Sequence, residues 1–124
     1  MKTCIEVYKV ALGYIFEKST KEYSTYYIPF LNLITTECFE LNNYLRETKG
    51  MEVLTEIPQY EKDEDEVLFE VELVNEVLPL GLAAHIAKED EQALYNVYIQ
   101  MYENAKERIK SNAKVILKPI EVVY

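Results

Sequence analysis

Only three glycines and four prolines interrupt the 124 residues. The chain therefore lacks the supply of turn residues that an all-β fold needs at every strand end. Between the interruptions, apolar residues recur at helical spacing. Thr3 to about Lys21 reads as a first helix, with Ile5, Tyr8, Leu12, Ile15 and Phe16 on one stripe and a capping box formed by Thr3 and Glu6. Gly13 weakens its middle, and its missing side chain suits close approach of a neighbouring helix. The polar, tyrosine-rich segment Ser19 to Tyr27 is the expected turn. A second helix starts near Ile28-Pro29, where proline fits a first turn, and runs through Leu31, Ile34, Cys38, Leu41 and Leu45 to Thr48. Lys49-Gly50 is its stop signal.

Residues 51–66 change character: Met51, Val53, Leu54 and Ile57 form a short apolar stretch, Pro58 interrupts it, and the run EKDEDE follows. A connection this long is usually functional or mobile. The run lacks the glycine and spaced ligands of a calcium loop, which leaves a solvated charge run as the plainer reading. The third helix is expected from about Asp65 to Lys88, with a kink or break where the Pro79 ring meets the carbonyl of Asn75. The small apolar stretch after Pro79 suits tight helix packing. The fourth runs from about Glu89 to Asn112, with Leu94, Val97, Tyr98, Met101, Ala105, Arg108 and Ile109 as its stripe. From Ala113 the residues become β-branched and Pro119 intervenes, so 113–124 reads as an extended tail. The expectation is a mainly α, four-helix bundle in one domain. Residues 1–112 form the helical part, a long acidic linker joins helices 2 and 3, and 113–124 form the extended tail.

The chain carries 22 acidic and 13 basic side chains, for a net charge of -9. That balance disfavours binding a nucleic-acid backbone, which requires clustered Lys and Arg. The charge is uneven. Residues 51–76 hold ten acidic side chains and one lysine, whereas 103–118 hold five basic and two acidic ones. Opposite patches on one chain can meet head-to-tail around a ring. Eleven tyrosines without tryptophan imply much half-buried surface, suited to an interface. Cys4 and Cys38 stand alone on apolar helix faces and read as buried free thiols. No signal peptide is visible, and no stretch approaches the roughly 18 to 20 apolar residues of a membrane span. A cytosolic protein, or one assembled there, is expected.

No nucleotide, metalloprotease or hydrolase motif occurs. The one histidine, His85, lies in the small apolar stretch after Pro79 and reads as a packing or surface residue. No enzyme, cofactor or metal is expected.

Residues 68–124 carry the most specific pattern: Leu78-Pro79-Leu80-Gly81-Leu82-Ala83-Ala84, then Glu89-Asp90-Glu91, Tyr98, Tyr102-Glu103 and Ile120-Glu121-Val122-Val123-Tyr124. The upstream half fits more loosely, through Asn32-Leu33, Glu37, Asn42 and Leu45-Arg46. The pattern resembles the head-tail adaptor, or connector, proteins of tailed bacteriophages of Gram-positive hosts. The resemblance implies a virion protein of the neck, assembled in the host cytoplasm as a ring, a dodecamer by analogy. Such a ring joins the portal to the stopper or tail-completion proteins and surrounds DNA without binding it specifically. It assigns Leu78, Pro79, Gly81, Ala83 and Ala84 to family packing. It assigns the tail residues Val115, Ile116, Leu117, Pro119, Ile120, Val122, Val123 and Tyr124 to the portal or a neighbouring subunit. Independently of it, an extended β-branched segment with no strand partner in its own chain is expected to pair with another subunit's edge, the alternative being a tail that folds back on its own helices. The acidic Asp63, Glu64, Asp65 and Glu66 then face the lumen or the basic Lys106, Arg108 and Lys110 of the next subunit. The rival readings are a cytosolic helical interaction or regulatory module and, more remotely, a hydrolase using His85.

Overall fold

The computed structural model describes residues 2–15 and 27–122, with side chains excepted at 89, 90 and 114–122. Helix α1 spans Cys4–Tyr14, α2 spans Tyr27–Thr48, α3 spans Leu78–Asp90 and α4 spans Gln92–Val122. Among the described residues there is no strand; Thr3 and Glu66 form an isolated antiparallel bridge. The mainly α, four-helix architecture is as the periodicity predicts. The expected end of the first helix at Lys21 and most of the Ser19 to Tyr27 turn lie outside the described residues.

The helix ends follow local chemistry. The Thr3 N–H donates to the Glu6 carboxylate at 3.1 Å, the expected capping box. At the far end of α2, Gly50 takes φ 73°, while Met51 N–H bonds the Arg46 carbonyl and Gly50 N–H bonds that of Glu47. Those two bonds are the Schellman pattern, in which a glycine adopts the left-handed conformation and lets two last-turn carbonyls find donors.

The third helix differs from its prediction in where it begins and in the form that the distortion before Pro79 takes. Helical backbone begins at Val71 rather than Asp65. Pro79 neither breaks nor ends it, because Leu73–Val77 forms a π-helical turn that runs directly into α3. The Leu78 N–H reaches back to the Leu73 carbonyl. The wider turn accommodates a residue that cannot donate, and π-turns arise where an α-helix must absorb such a defect.

Helix α3 is the axis of the fold. Residues 77–84, 86 and 87 are all buried, so apolar side chains surround the helix. A helix hydrophobic on every side is stable only with neighbours all round, and α1, α2 and α4 supply them. Each of Leu78, Leu82 and Ile86 is almost wholly buried and contributes roughly 1.5–3 kcal/mol by leaving water. Gly81 permits the closest approach. A Cβ there would lie 2.9 Å from Tyr102 Cε1 and 3.1 Å from Ile34 Cγ2. Gly13, expected to do the same, is exposed and has nothing within 4 Å of its Cβ position.

The C-terminal boundary is corrected. Residues 113–122 do not form an extended tail, since α4 continues through Val122 across Pro119. A helix already nucleated upstream gains one hydrogen bond for each added residue except Pro119, which has no N–H to donate, and these bonds offset the small deficits of β-branched side chains. The split at 112 therefore marks no change of structure, and Val123 and Tyr124 lie outside the described residues. Among the described side chains of α4 the buried positions are Tyr102, Ala105, Ile109 and Ala113, while the predicted stripe members Val97 and Met101 are exposed.

Candidate interaction surface

Helices α2 and α4 run parallel. Tyr102 meets Cys38, with the phenolic oxygen 3.4 Å from the thiol sulfur. Further on, Leu45, Thr48 and Lys49 face Ile109, Asn112 and Ala113 across a small cleft. Residue 113 thus lies level with the end of α2. The nine following residues carry the α4 backbone about 13 Å beyond it, at 1.5 Å per residue.

The 51–66 connection has no regular structure apart from the bridge at Glu66, yet it is fixed along α2. The Asn43 side chain accepts from the Leu54 N–H at 2.9 Å and donates to the Leu54 carbonyl at 3.0 Å. Eleven residues earlier, three helical turns away on the same face, Asn32 does the same for Tyr60 at 2.7 and 3.0 Å. Each amide satisfies one backbone donor and one acceptor, as a neighbouring strand would. Arg46 Nε adds a bond to the Glu52 carbonyl. Leu54 points inward, whereas Met51, Val53 and Ile57 remain about 40% exposed.

The acidic run that follows is only partly a solvated surface. The carbonyls of Asp65 and Asp63 accept the N–H groups of Cys4 and Ile5 at 2.9 and 3.0 Å, satisfying first-turn donors of α1. The Asp65 carboxylate accepts from the N–H groups of Glu61 and Lys62, which hold its carboxyl below the ordinary range. The Tyr27 hydroxyl donates to Asp63. Burial, then that bond, pushes the Tyr27 phenol up. Beside this turn, burial and the charges of Asp65 and Asp63 push the Cys4 thiol up to about 12. Asp63 and Asp65 thus build the turn, while Glu64 and Glu66 are exposed.

The basic patch divides in the same way. Arg108 pairs with Glu76 beside the π-turn. Lys106 pairs with Glu103 at 3.3 Å and lies 4.4 Å over the Tyr102 ring. Lys110 is exposed at the rim of a groove of about 350 Å³, lined by Glu37, Glu40, Leu41, Tyr44 and Lys106. Glu70, largely buried, is held by Arg46 at 3.2 Å and Lys49 at 2.9 Å.

His85 stacks on Phe30, with ring centroids 5.5 Å apart, and meets the edge of Tyr95. Burial holds its pKa below the ordinary value. The residues Leu78, Pro79, Gly81, Ala83 and Ala84 are buried around the axis of the bundle. Tail positions Val115, Ile116, Leu117, Pro119, Ile120 and Val122 stand on the last turns of α4. Both cysteines are free and buried. Among the described residues, no group of three or more His, Cys, Asp and Glu side chains is placed to hold a metal ion, and no helix is long and apolar enough to cross a membrane.

Two features escape reading from sequence. Asn32 was part of the resemblance without a role, and Asn43 carried no signal, although polar amides three turns apart on an apolar helix could have marked a pinned segment. Tyr102 belonged to the resemblance, but the predicted α4 stripe passed beside it. It is buried, with its hydroxyl donating to Glu37 at 2.8 Å.

No family model matches the chain, and no curated protein or solved structure is significantly similar to it.

Proposed function

We propose that this chain is a non-enzymatic structural subunit of the bacteriophage neck, a head-tail adaptor. Copies of it form a ring around the DNA channel and join the portal to the stopper or tail-completion proteins. The observation that carries the reading is the overrun of α4 past the end of α2, a stretch whose sequence is rich in Val, Ile and Leu. Apolar sequence carried out of a bundle on a helix is suited to another protein's groove, recognised through positions three and four residues apart. This replaces the pairing of an extended tail, since a helical backbone has already used the hydrogen-bonding groups that a sheet edge would need. The resemblance around Leu78 to Ala84 supports the reading from the side of sequence. The buried place of that stretch makes it the packing centre of the subunit rather than its contact surface.

The test is co-purification with a phage portal ring encoded beside this chain. A stable complex is expected, weakened when Ile116 and Ile120 are replaced by serine. If the full-length chain fails to join portal rings under conditions where its helical content is intact, the adaptor reading is wrong.

A further inference from the structure

We infer that the outer face of the 51–66 loop docks the end of α4 from a second copy of this chain. The inference rests on the reading of the chain as a self-assembling subunit and specifies its contact. The loop is shaped in advance, because Asn32, Asn43 and Arg46 hold its backbone. A surface ordered before binding loses less entropy on association. It offers Met51, Val53 and Ile57 as exposed apolar groups. Glu52 and Glu56 alternate with them in sequence, and Glu61, Glu64 and Glu66 follow along the loop, all five exposed and none in an ion pair with another described residue. Asp63 and Asp65 are committed to the turn, so the free charge lies on these five glutamates.

The matching chemistry is on the same chain, at the other end. Of the three basic positions 106, 108 and 110, Lys110 alone has no ion pair with a described residue. Lys114 and Lys118 follow it at four-residue intervals along a backbone that remains helical, with Val115, Ile116 and Leu117 between them in sequence. An apolar loop interspersed with glutamate thus has as its complement an apolar helix marked with lysine.

The two surfaces are directed apart within one copy. At Gly50 the chain turns back, and the loop descends along the Asn32, Thr36 and Asn43 face of α2. The α4 helix lies along the Glu37, Leu41 and Tyr44 side and continues past Thr48 in the other direction. Pairing between copies is therefore head-to-tail, which propagates until a ring closes or a chain of subunits ends.

The experiment uses the full chain in three forms: wild type, a loop variant (Glu52→Lys, Glu56→Lys, Glu64→Lys) and a helix variant (Lys110→Glu, Lys114→Glu). Among the described side chains, Glu52, Glu56, Glu64 and Lys110 make no hydrogen bond or ion pair that holds the fold. Sedimentation velocity at low salt should show the wild type associating with rising concentration, and added salt should weaken it. Each variant alone should self-associate at least about tenfold more weakly, with unchanged circular dichroism and melting temperature. Mixed one to one, the helix variant's intact loop meets the loop variant's intact helix, and the reversed loop meets the reversed helix with the charges exchanged, so association beyond the monomer returns. Variants that assemble as well as wild type, or a mixture that stays monomeric, overturn this contact while leaving portal binding to judge the adaptor reading. A wild type that stays monomeric throughout overturns it too.

Discussion

Gly13 and Gly81 both sit within helices, yet they answer the same substitution with opposite signs. At Gly13 an added methyl meets nothing within 4 Å, so Gly13→Ala gains the helix propensity that glycine lacks, about 0.5–1 kcal/mol. At Gly81 the methyl would be 2.9 and 3.0 Å from two carbons of the Tyr102 ring. That ring is buried and its hydroxyl is bound to Glu37, so it has little room to yield. Gly81→Ala should destabilise by roughly 1–3 kcal/mol through overpacking. Chemical denaturation of both variants checks the pair, and equal shifts in one direction would refute the packing assigned to α3. His85 belongs to the same scale: Phe30 stacks on its ring and Tyr95 meets it at a steep angle, which fits a packing residue.

At the scale of elements, the asparagine pins make a separable prediction. Asn32→Ala and Asn43→Ala each remove a donor and an acceptor from loop backbone, and each should cost about 1–3 kcal/mol where the freed groups stay out of water. Hydrogen exchange at Tyr60 and Leu54, respectively, should quicken by at least about tenfold. Far-UV circular dichroism should not change, because the loop contains no helix. Loss of helical signal in step with loop exchange would show that the loop is no separate element. The helices themselves were largely legible, because apolar spacing, Pro29 and the Lys49-Gly50 stop are local signals. The π-turn before α3 was not, since it reflects how a buried helix accommodates Pro79 among neighbours on every side. The helical end of α4 escapes the local sequence signal for a related reason. Valine and isoleucine favour strands only where a partner edge exists, and this chain offers the segment a helix to continue instead. The side chains of the acidic run suggest a solvated surface, whereas the carbonyls of Asp63 and Asp65 accept first-turn donors of α1.

For the molecule as a whole, these local shifts combine into one stability profile. On the acid side, burial holds His85 below its ordinary 6.5. The Thr3 backbone and hydroxyl lower Glu6, and the Glu61 and Lys62 amides lower Asp65. Burial works to raise Glu72, but the Lys49 ammonium prevails and lowers it. Each of these groups takes up a proton more readily in the unfolded chain, so acid favours unfolding. Stability should fall as pH drops below about 6.5 through His85, and further below about 4.5 through the carboxylates. On the alkaline side the sign reverses. Burial raises both thiols above their ordinary 9.0, Cys4 to about 12, and raises the Tyr60 phenol from 10.0 to about 12. These groups ionise first in the unfolded chain, so their contribution is complete below about 9 and is lost as pH rises toward their folded values. Lys49, raised because its glutamate partners outweigh its burial, also loses its contribution at high pH. Urea midpoints should therefore form a plateau between about pH 6.5 and 9. Since the thiols ionise before the phenols, replacing Cys4 and Cys38 with alanine should move the alkaline onset toward about 10. An onset that stays at 9 in the cysteine-free chain would mean that the buried thiols do not set the alkaline limit, and that the acidic turn at the start of α1 is more open to water than its hydrogen bonds require.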